Sequence, residues 1–141
     1  MAEEPQKLVL KPGVVAPFLT NFQMTEDGEN FIFADLDLSN KGVEVLNKTI
    51  EEAKEVQMCN LSKNGIPDPA CLKELTSLIH LDLSSNKVKN VSVFTNEETF
   101  PNLKYLDLSS NKFNELAAFK CPKLEYLDIS YNKIEKVNEG W

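Results

Sequence analysis

The chain has 141 residues, 42% of them hydrophobic, enough for one domain with a continuous apolar interior. Twenty-two acidic residues against fifteen basic ones leave a net charge of −7, and every basic residue is lysine. This excludes the arginine forks and basic surface that direct nucleic-acid binding draws on, and no run approaches the ~18 apolar residues of a membrane helix, so neither nucleic acid nor membrane is expected as a partner.

The opening Met1-Ala2-Glu3-Glu4-Pro5 is acidic and lacks the basic-then-apolar layout of a secretory leader. Three widely spaced cysteines, Cys59, Cys71 and Cys121, read as reduced, small, buried residues. An intracellular, cytoplasmic protein is expected, in which the sequons at Asn47, Asn60 and Asn90 are chance matches. Over residues 1–30, Pro5, Pro12-Gly13 and Pro17 are expected to break any regular element. Yet Leu8-Val9-Leu10, Val14-Val15, Phe18-Leu19 and Phe22 make the stretch too apolar for a disordered tail. It reads either as a cap over the open apolar end of the adjoining domain or as a strap that docks onto a partner. Thr25-Glu26-Asp27-Gly28 reads as a turn before the first strand.

From residue 31 onward one pattern recurs. Its clear copies run from Leu78 to Val88, Leu103 to Phe113 and Leu124 to Ile134. Degenerate copies run through Phe33, Leu36, Leu38 and Val43, with Lys41 at the asparagine position, and through Val56, Cys59, Leu61, Asn64 and Ile66. Starts at 33, 56, 78, 103 and 124 give steps of 23, 22, 25 and 21 residues. Each Leu-x-Leu predicts a short strand with its leucines inward, stacked in parallel on the next. Asn64, Asn86, Asn111 and Asn132 are expected to turn inward where each strand ends, forming a structural ladder that satisfies backbone groups of adjacent coils. The spacing of three in Val88, Val91, Phe94 and in Phe113, Leu116, Phe119 predicts 3₁₀-like or irregular returns. Thr49–Glu55 is the expected exception, a helix opened by a Thr-x-x-Glu capping box. Thr95–Thr99 is expected to be a convex surface loop.

The period and the L-x-x-L-x-L-x-x-N-x-L pattern define the expected fold: an α/β leucine-rich-repeat solenoid, right-handed, with a short parallel concave sheet and an irregular or 3₁₀ convex side. Residues 31–141 form the repeat domain of about five repeats. The fifth copy is as regular as the third and fourth, so the chain is expected to be a piece of a longer array with apolar edge exposed at that side; Trp141 folding back as a lid is the alternative.

Strand alternation places three columns on the concave face. The first is Asp35, Met58, His80, Tyr105 and Tyr126; the second is Asp37, Asn60, Asp82, Asp107 and Asp128; serines at 39, 62, 84, 109 and 130 fill the third as spacers. The first column is the expected partner-binding surface, since tyrosine gives broad contact area at low entropic cost. Asp82, Asp107 and Asp128 would stand about 4.8 Å apart, a repulsive arrangement that a basic peptide or helix would relieve, unless aspartate is merely common between the leucines of such repeats. No metal or cofactor is implied: the single histidine lacks companion ligands, and a flat ladder is not a calcium cage. Nor is an enzyme, because Cys59 points inward, no phosphate loop is present and the carboxylates lie on an open sheet.

The run Leu72, Leu75, Leu78, Leu81, Leu83, Asn86, Val88, Val91 resembles the roughly 22-residue subclass of intracellular leucine-rich repeats. More closely, Phe33-Ala34-Asp35-Leu36-Asp37-Leu38 and Cys121-Pro122-Lys123-Leu124-Glu125-Tyr126-Leu127 are similar to segments of the leucine-rich-repeat protein 23 family of ciliary radial spokes. That resemblance implies a non-enzymatic scaffold, a structural subunit holding protein partners in a larger ciliary or axonemal complex, with no catalytic residues to carry over. The subclass also holds phosphatase-targeting regulatory subunits and acidic nuclear histone-binding proteins, which stand as alternative functions. The radial-spoke family carries more repeats than this chain, and the first thirty residues match nothing in it.

Overall fold

From the second repeat on, each strand of the repeat is only three residues long before the chain must bend, with its first and third residues turned outward. The computed structural model of the chain describes residues 7–140. Its strands are β1 (Leu19–Met24), β2 (Phe31–Asp37), β3 (Met58–Asn60), β4 (His80–Asp82), β5 (Tyr105–Asp107), β6 (Glu115–Leu116), β7 (Tyr126–Asp128) and β8 (Lys136–Val137). A six-stranded sheet runs β1-β2-β3-β4-β5-β7, and β6 pairs with β8 in a second, two-stranded sheet. From β2 to β7 all pairs in the large sheet are parallel and in register, with Leu36, Cys59, Leu81, Leu106 and Leu127 in one row. Parallel neighbours joined by a return segment, coil after coil, make a solenoid.

The middle of that row is sealed: Leu36, Cys59, Leu81 and Leu106 are at most 1% exposed. Burying each leucine contributes about 1.5–3 kcal/mol. Phe94, Phe100 and Phe113 fill the return side and are fully buried, with Phe94 stacked on Phe100 and tilted against Phe119.

The strand exits share one device. Lys63, Ser85, Ser110 and Tyr131 all lie in the left-handed region, at φ 54–56°, and each is followed at once by an asparagine. That conformation costs of order 1 kcal/mol or more for an L-residue, and it turns the next side chain inward. The Asn86 amide nitrogen donates to the carbonyls of Leu61, Leu83 and Ser84, and its oxygen accepts from the Ile66 N–H. Asn111 repeats this one coil later, donating to Leu83, Leu108 and Ser109 and accepting from Val88. Asn64 accepts from both Lys41 and Val43 and donates to Leu38, Leu61 and Ser62. Asn132 donates to Leu108, Ile129 and Ser130, but its buried oxygen has no partner. In the first coil the left-handed residue is Asn40, at φ 52°, so Lys41 occupies the asparagine position and its N–H is served by Asn64 of the next coil.

Several expectations are corrected. Residues 7–30 are not free of regular structure: Ala16–Phe18 form a 3₁₀ turn, and β1 pairs antiparallel with β2 from Leu19–Leu36 to Met24–Phe31. Thr25–Gly28 is therefore the turn between two strands, closed by Gly28 N–H to Thr25 and by Thr25 N–H to Asn30. The helix near Thr49 is a six-residue 3₁₀ segment, Lys48–Ala53, and its cap is Asn47, which accepts from the Thr49 N–H. Glu52 does not close a capping box; its carboxylate accepts from the Gly13 N–H instead. A short coil that must rejoin the next strand leaves no room for a longer helix. In the fourth coil, part of the expected irregular return is the β6 strand. Cys71 is half-buried rather than buried, while Cys59 and Cys121 are buried, and all three are free thiols. The turn at Asn96–Thr99 lies at the surface after a 3₁₀ segment, Ser92–Thr95. Trp141 lies outside the described residues.

Ahead of the first coil, Leu10 is 4% and Val15 0% exposed, both within the core. Leu8 N–H donates to Lys41, Asn47 donates to the Leu10 carbonyl, and Lys7 pairs with Glu44 at 2.9 Å. At the opposite side, Leu124, Leu127, Ile129 and Ile134 are only partly buried.

Candidate protein-docking face

The parallel register brings the first concave column into line: Asp35 beside Met58, Met58 beside His80, His80 beside Tyr105, Tyr105 beside Tyr126. Identical strand geometry puts their side chains at one spacing, close to that of stacked rings. The His80 and Tyr105 rings stack with centroids 3.9 Å apart and planes 8° from parallel; Tyr105 and Tyr126 stack at 4.3 Å and 1°. The ends of the ladder are exposed, Met58 at 40% and Tyr126 at 45%, while His80 and Tyr105 between them are half-buried. Burial within the stack, then the neighbouring Tyr126 and Asp107, push the Tyr105 hydroxyl up to about 12, so it stays protonated at neutral pH.

Beside it runs the second column, Asp37, Asn60, Asp82, Asp107 and Asp128, also in register. These aspartates, expected either to face a basic peptide or helix or to be merely common between the leucines, also have a local role in a turn. Each side chain of this column accepts from the backbone N–H two residues on, at Ser39, Ser62, Ser84, Ser109 and Ser130, at 2.9–3.0 Å. Ser109 and Ser130 add their hydroxyls at 2.7 and 2.6 Å. These are turns in which the side chain imitates a backbone acceptor at the strand exit. The serines are thus turn partners rather than spacers, and the signal was present in the sequence as Asp-x-Ser in four coils. Bonds from Ser39 hold the Asp37 carboxyl below its usual value, and bonds from Ser130 do the same for Asp128. One oxygen of each aspartate is occupied by the turn, while the charge remains. Asn60 makes the same turn without a charge, so the turn needs the acceptor oxygen and not the negative sign.

Little else is arranged for chemistry. Burial pushes Cys59 up to about 12 and Cys121 to about 11, keeping both thiols protonated. Among the described residues, no group of three His, Cys, Asp or Glu side chains is placed to hold a metal ion, and no helix is long and apolar enough to cross a membrane. What the face can do is contact: stacked ring edges and hydroxyls beside a row of carboxylates.

Comparison with known proteins agrees with the geometry. Residues 101–139 match a family model described as leucine-rich repeats in two copies, and residues 74–94 match a second leucine-rich-repeat model. Coil spacing, register, amide ladder and these matches together define the fold as a leucine-rich-repeat solenoid. Among solved structures, the chain is similar to an internalin from Listeria monocytogenes, at 19% identity and a TM-score of 0.61 over 77% of this chain. The chain spans 35% of that internalin's length, and at such identity the likeness concerns the fold alone. No curated protein matches the chain in sequence.

Proposed function

We propose that the protein is a non-enzymatic scaffold that binds a protein partner on its concave face, through Met58, His80, Tyr105 and Tyr126 flanked by Asp82, Asp107 and Asp128. The observation that carries this reading is the unbroken stack of His80, Tyr105 and Tyr126, partly open to solvent, beside three in-register carboxylates. Aromatic rings fixed by their neighbours lose little freedom on binding, and adjacent negative charge favours a partner bearing lysine or arginine. The stretch ahead of the first repeat serves as a cap in this reading, which the burial of Leu10 and Val15 supports.

Within that class, a cytoplasmic structural subunit of a ciliary radial-spoke assembly is the finer proposal. It rests on the resemblance of Phe33–Leu38 and Cys121–Leu127 to segments of that family. Affinity capture from ciliated-cell extract tests it: axonemal proteins should be retained by the wild-type chain. Recovery of a phosphatase catalytic subunit in their place would defeat the spoke assignment and install the regulatory one. Tyr105→Ala with Tyr126→Ala should abolish capture while the melting temperature changes little, and undiminished capture would remove the aromatic column from the reading.

A further inference from the structure

A second apolar surface lies on the β1–β2 hairpin, with β2 two strands from His80 in the large sheet. Phe22, Phe31 and Phe33 are 62%, 58% and 44% exposed. Phe22 stacks on Phe31 with centroids 5.1 Å apart and planes 12° from parallel, and tilts against Phe33 at 5.2 Å. Taking about 200 Å² per ring, the three expose roughly 300 Å², the scale of a functional patch on a small protein. They border a cavity of ≈ 210 Å³ whose other walls include Val56, Glu52 and Glu55.

The two charged residues that line the cavity, Glu52 and Glu55, are both acidic. Residues 12–40 contain Glu26, Asp27, Glu29, Asp35 and Asp37 and not one lysine. Glu55 is exposed, and Glu52 is held at the rim by its bond from the Gly13 N–H. Two copies meeting through this patch would bring like charges together, and an anionic bilayer would meet the same repulsion. Exposed rings beside two glutamates are complementary to an apolar, basic occupant.

We infer that the hairpin groove is a second docking site, for a basic amphipathic segment of a partner protein, with apolar residues seated on Phe22, Phe31 and Phe33 and lysine or arginine facing Glu52 and Glu55. This site shares no residue with the tyrosine stack, so the failure of one reading leaves the other standing. A peptide of about 18 residues, with leucines on one helical face and lysines on the other, is the probe, and its glutamate-for-lysine counterpart is the control. Calorimetric titration into the full chain should show the lysine peptide binding and the glutamate peptide not. F22S with F31S should weaken the lysine peptide about tenfold or more; both rings are largely exposed, so the unfolding midpoint should hold. E52Q with E55Q, which keeps an acceptor for Gly13, should weaken it several-fold and flatten its salt dependence. Tyr105→Ala with Tyr126→Ala should leave it unchanged. Equal binding of both peptides, or lysine-peptide affinity that survives F22S with F31S, overturns the inference. So does a concentration-dependent dimer, or adhesion to phosphatidylserine vesicles, that disappears in F22S with F31S, since either names a different occupant.

Discussion

The fourth and fifth coils carry nearly the same letters, Leu106-Asp107-Leu108-Ser109-Ser110-Asn111 and Leu127-Asp128-Ile129-Ser130-Tyr131-Asn132, yet they bury them differently. Leu106 and Leu108 are fully buried, whereas Leu127 and Ile129 are only partly so. The Asn111 amide is satisfied on both its nitrogen and its oxygen; the Asn132 oxygen is buried with nothing to accept. In a repeat array, burial belongs to the neighbours of a residue more than to the residue itself.

The comparison breaks most sharply on leucine. Leu106→Ala should cost about 3–5 kcal/mol in urea unfolding, the range for a truncated core leucine, and Leu127→Ala roughly a third of that. Equal penalties would show that the two coils unfold as one block whatever their exposure. On the amide ladder, Asn111→Ala should cost about 1–3 kcal/mol, because the Val88 N–H and three carbonyls lose a partner. Asn132→Ala should cost less, and a variant at Asn111 as stable as the parent would refute the inward role.

The aspartate column yields the smallest differences. Asp107→Asn should leave the unfolding midpoint nearly unchanged, as Asn60 already makes this turn, while Asp107→Ala should lose about 1 kcal/mol. An equal loss in both variants would mean that charge, not the acceptor oxygen, holds the strand exit. Asp37 and Asp128 carry a matching pH dependence. Their carboxyls sit below the ordinary value of 3.8 in the folded chain, so their contribution is complete above that pH and is lost as pH falls through the lower folded value. The acid limb of the stability profile should therefore be shallower in Asp37→Asn with Asp128→Asn, and an unchanged limb would assign it to other groups.

The repeat was legible because period and strand alternation are both written in the apolar residues, so Met58, His80, Tyr105 and Tyr126 align by counting alone. β1 was obscured by the prolines before it and by Asn21, which sits at φ 60° in mid-strand. The pairing partner makes that strand, and the available signal was Phe22 and Met24 facing Phe31 and Phe33 across a Thr-Glu-Asp-Gly turn. Thr49 with Glu52 three residues on has the letters of a capping box, but Asn47, two residues earlier, caps the shorter segment. The turn role of the aspartates was written in the recurring Asp-x-Ser, which apolar periodicity alone does not weigh.

The ladder amides all reach back to the preceding coil and none reaches forward, which gives the molecule a polarity. A coil placed after Ile134 would find the Ile129 carbonyl already positioned for its asparagine, whereas one placed before Phe31 would first have to displace the antiparallel β1. Lengthening this scaffold by splicing in further units is thus open from one direction only, and the hairpin with its phenylalanines would keep its place at the closed end however many were added.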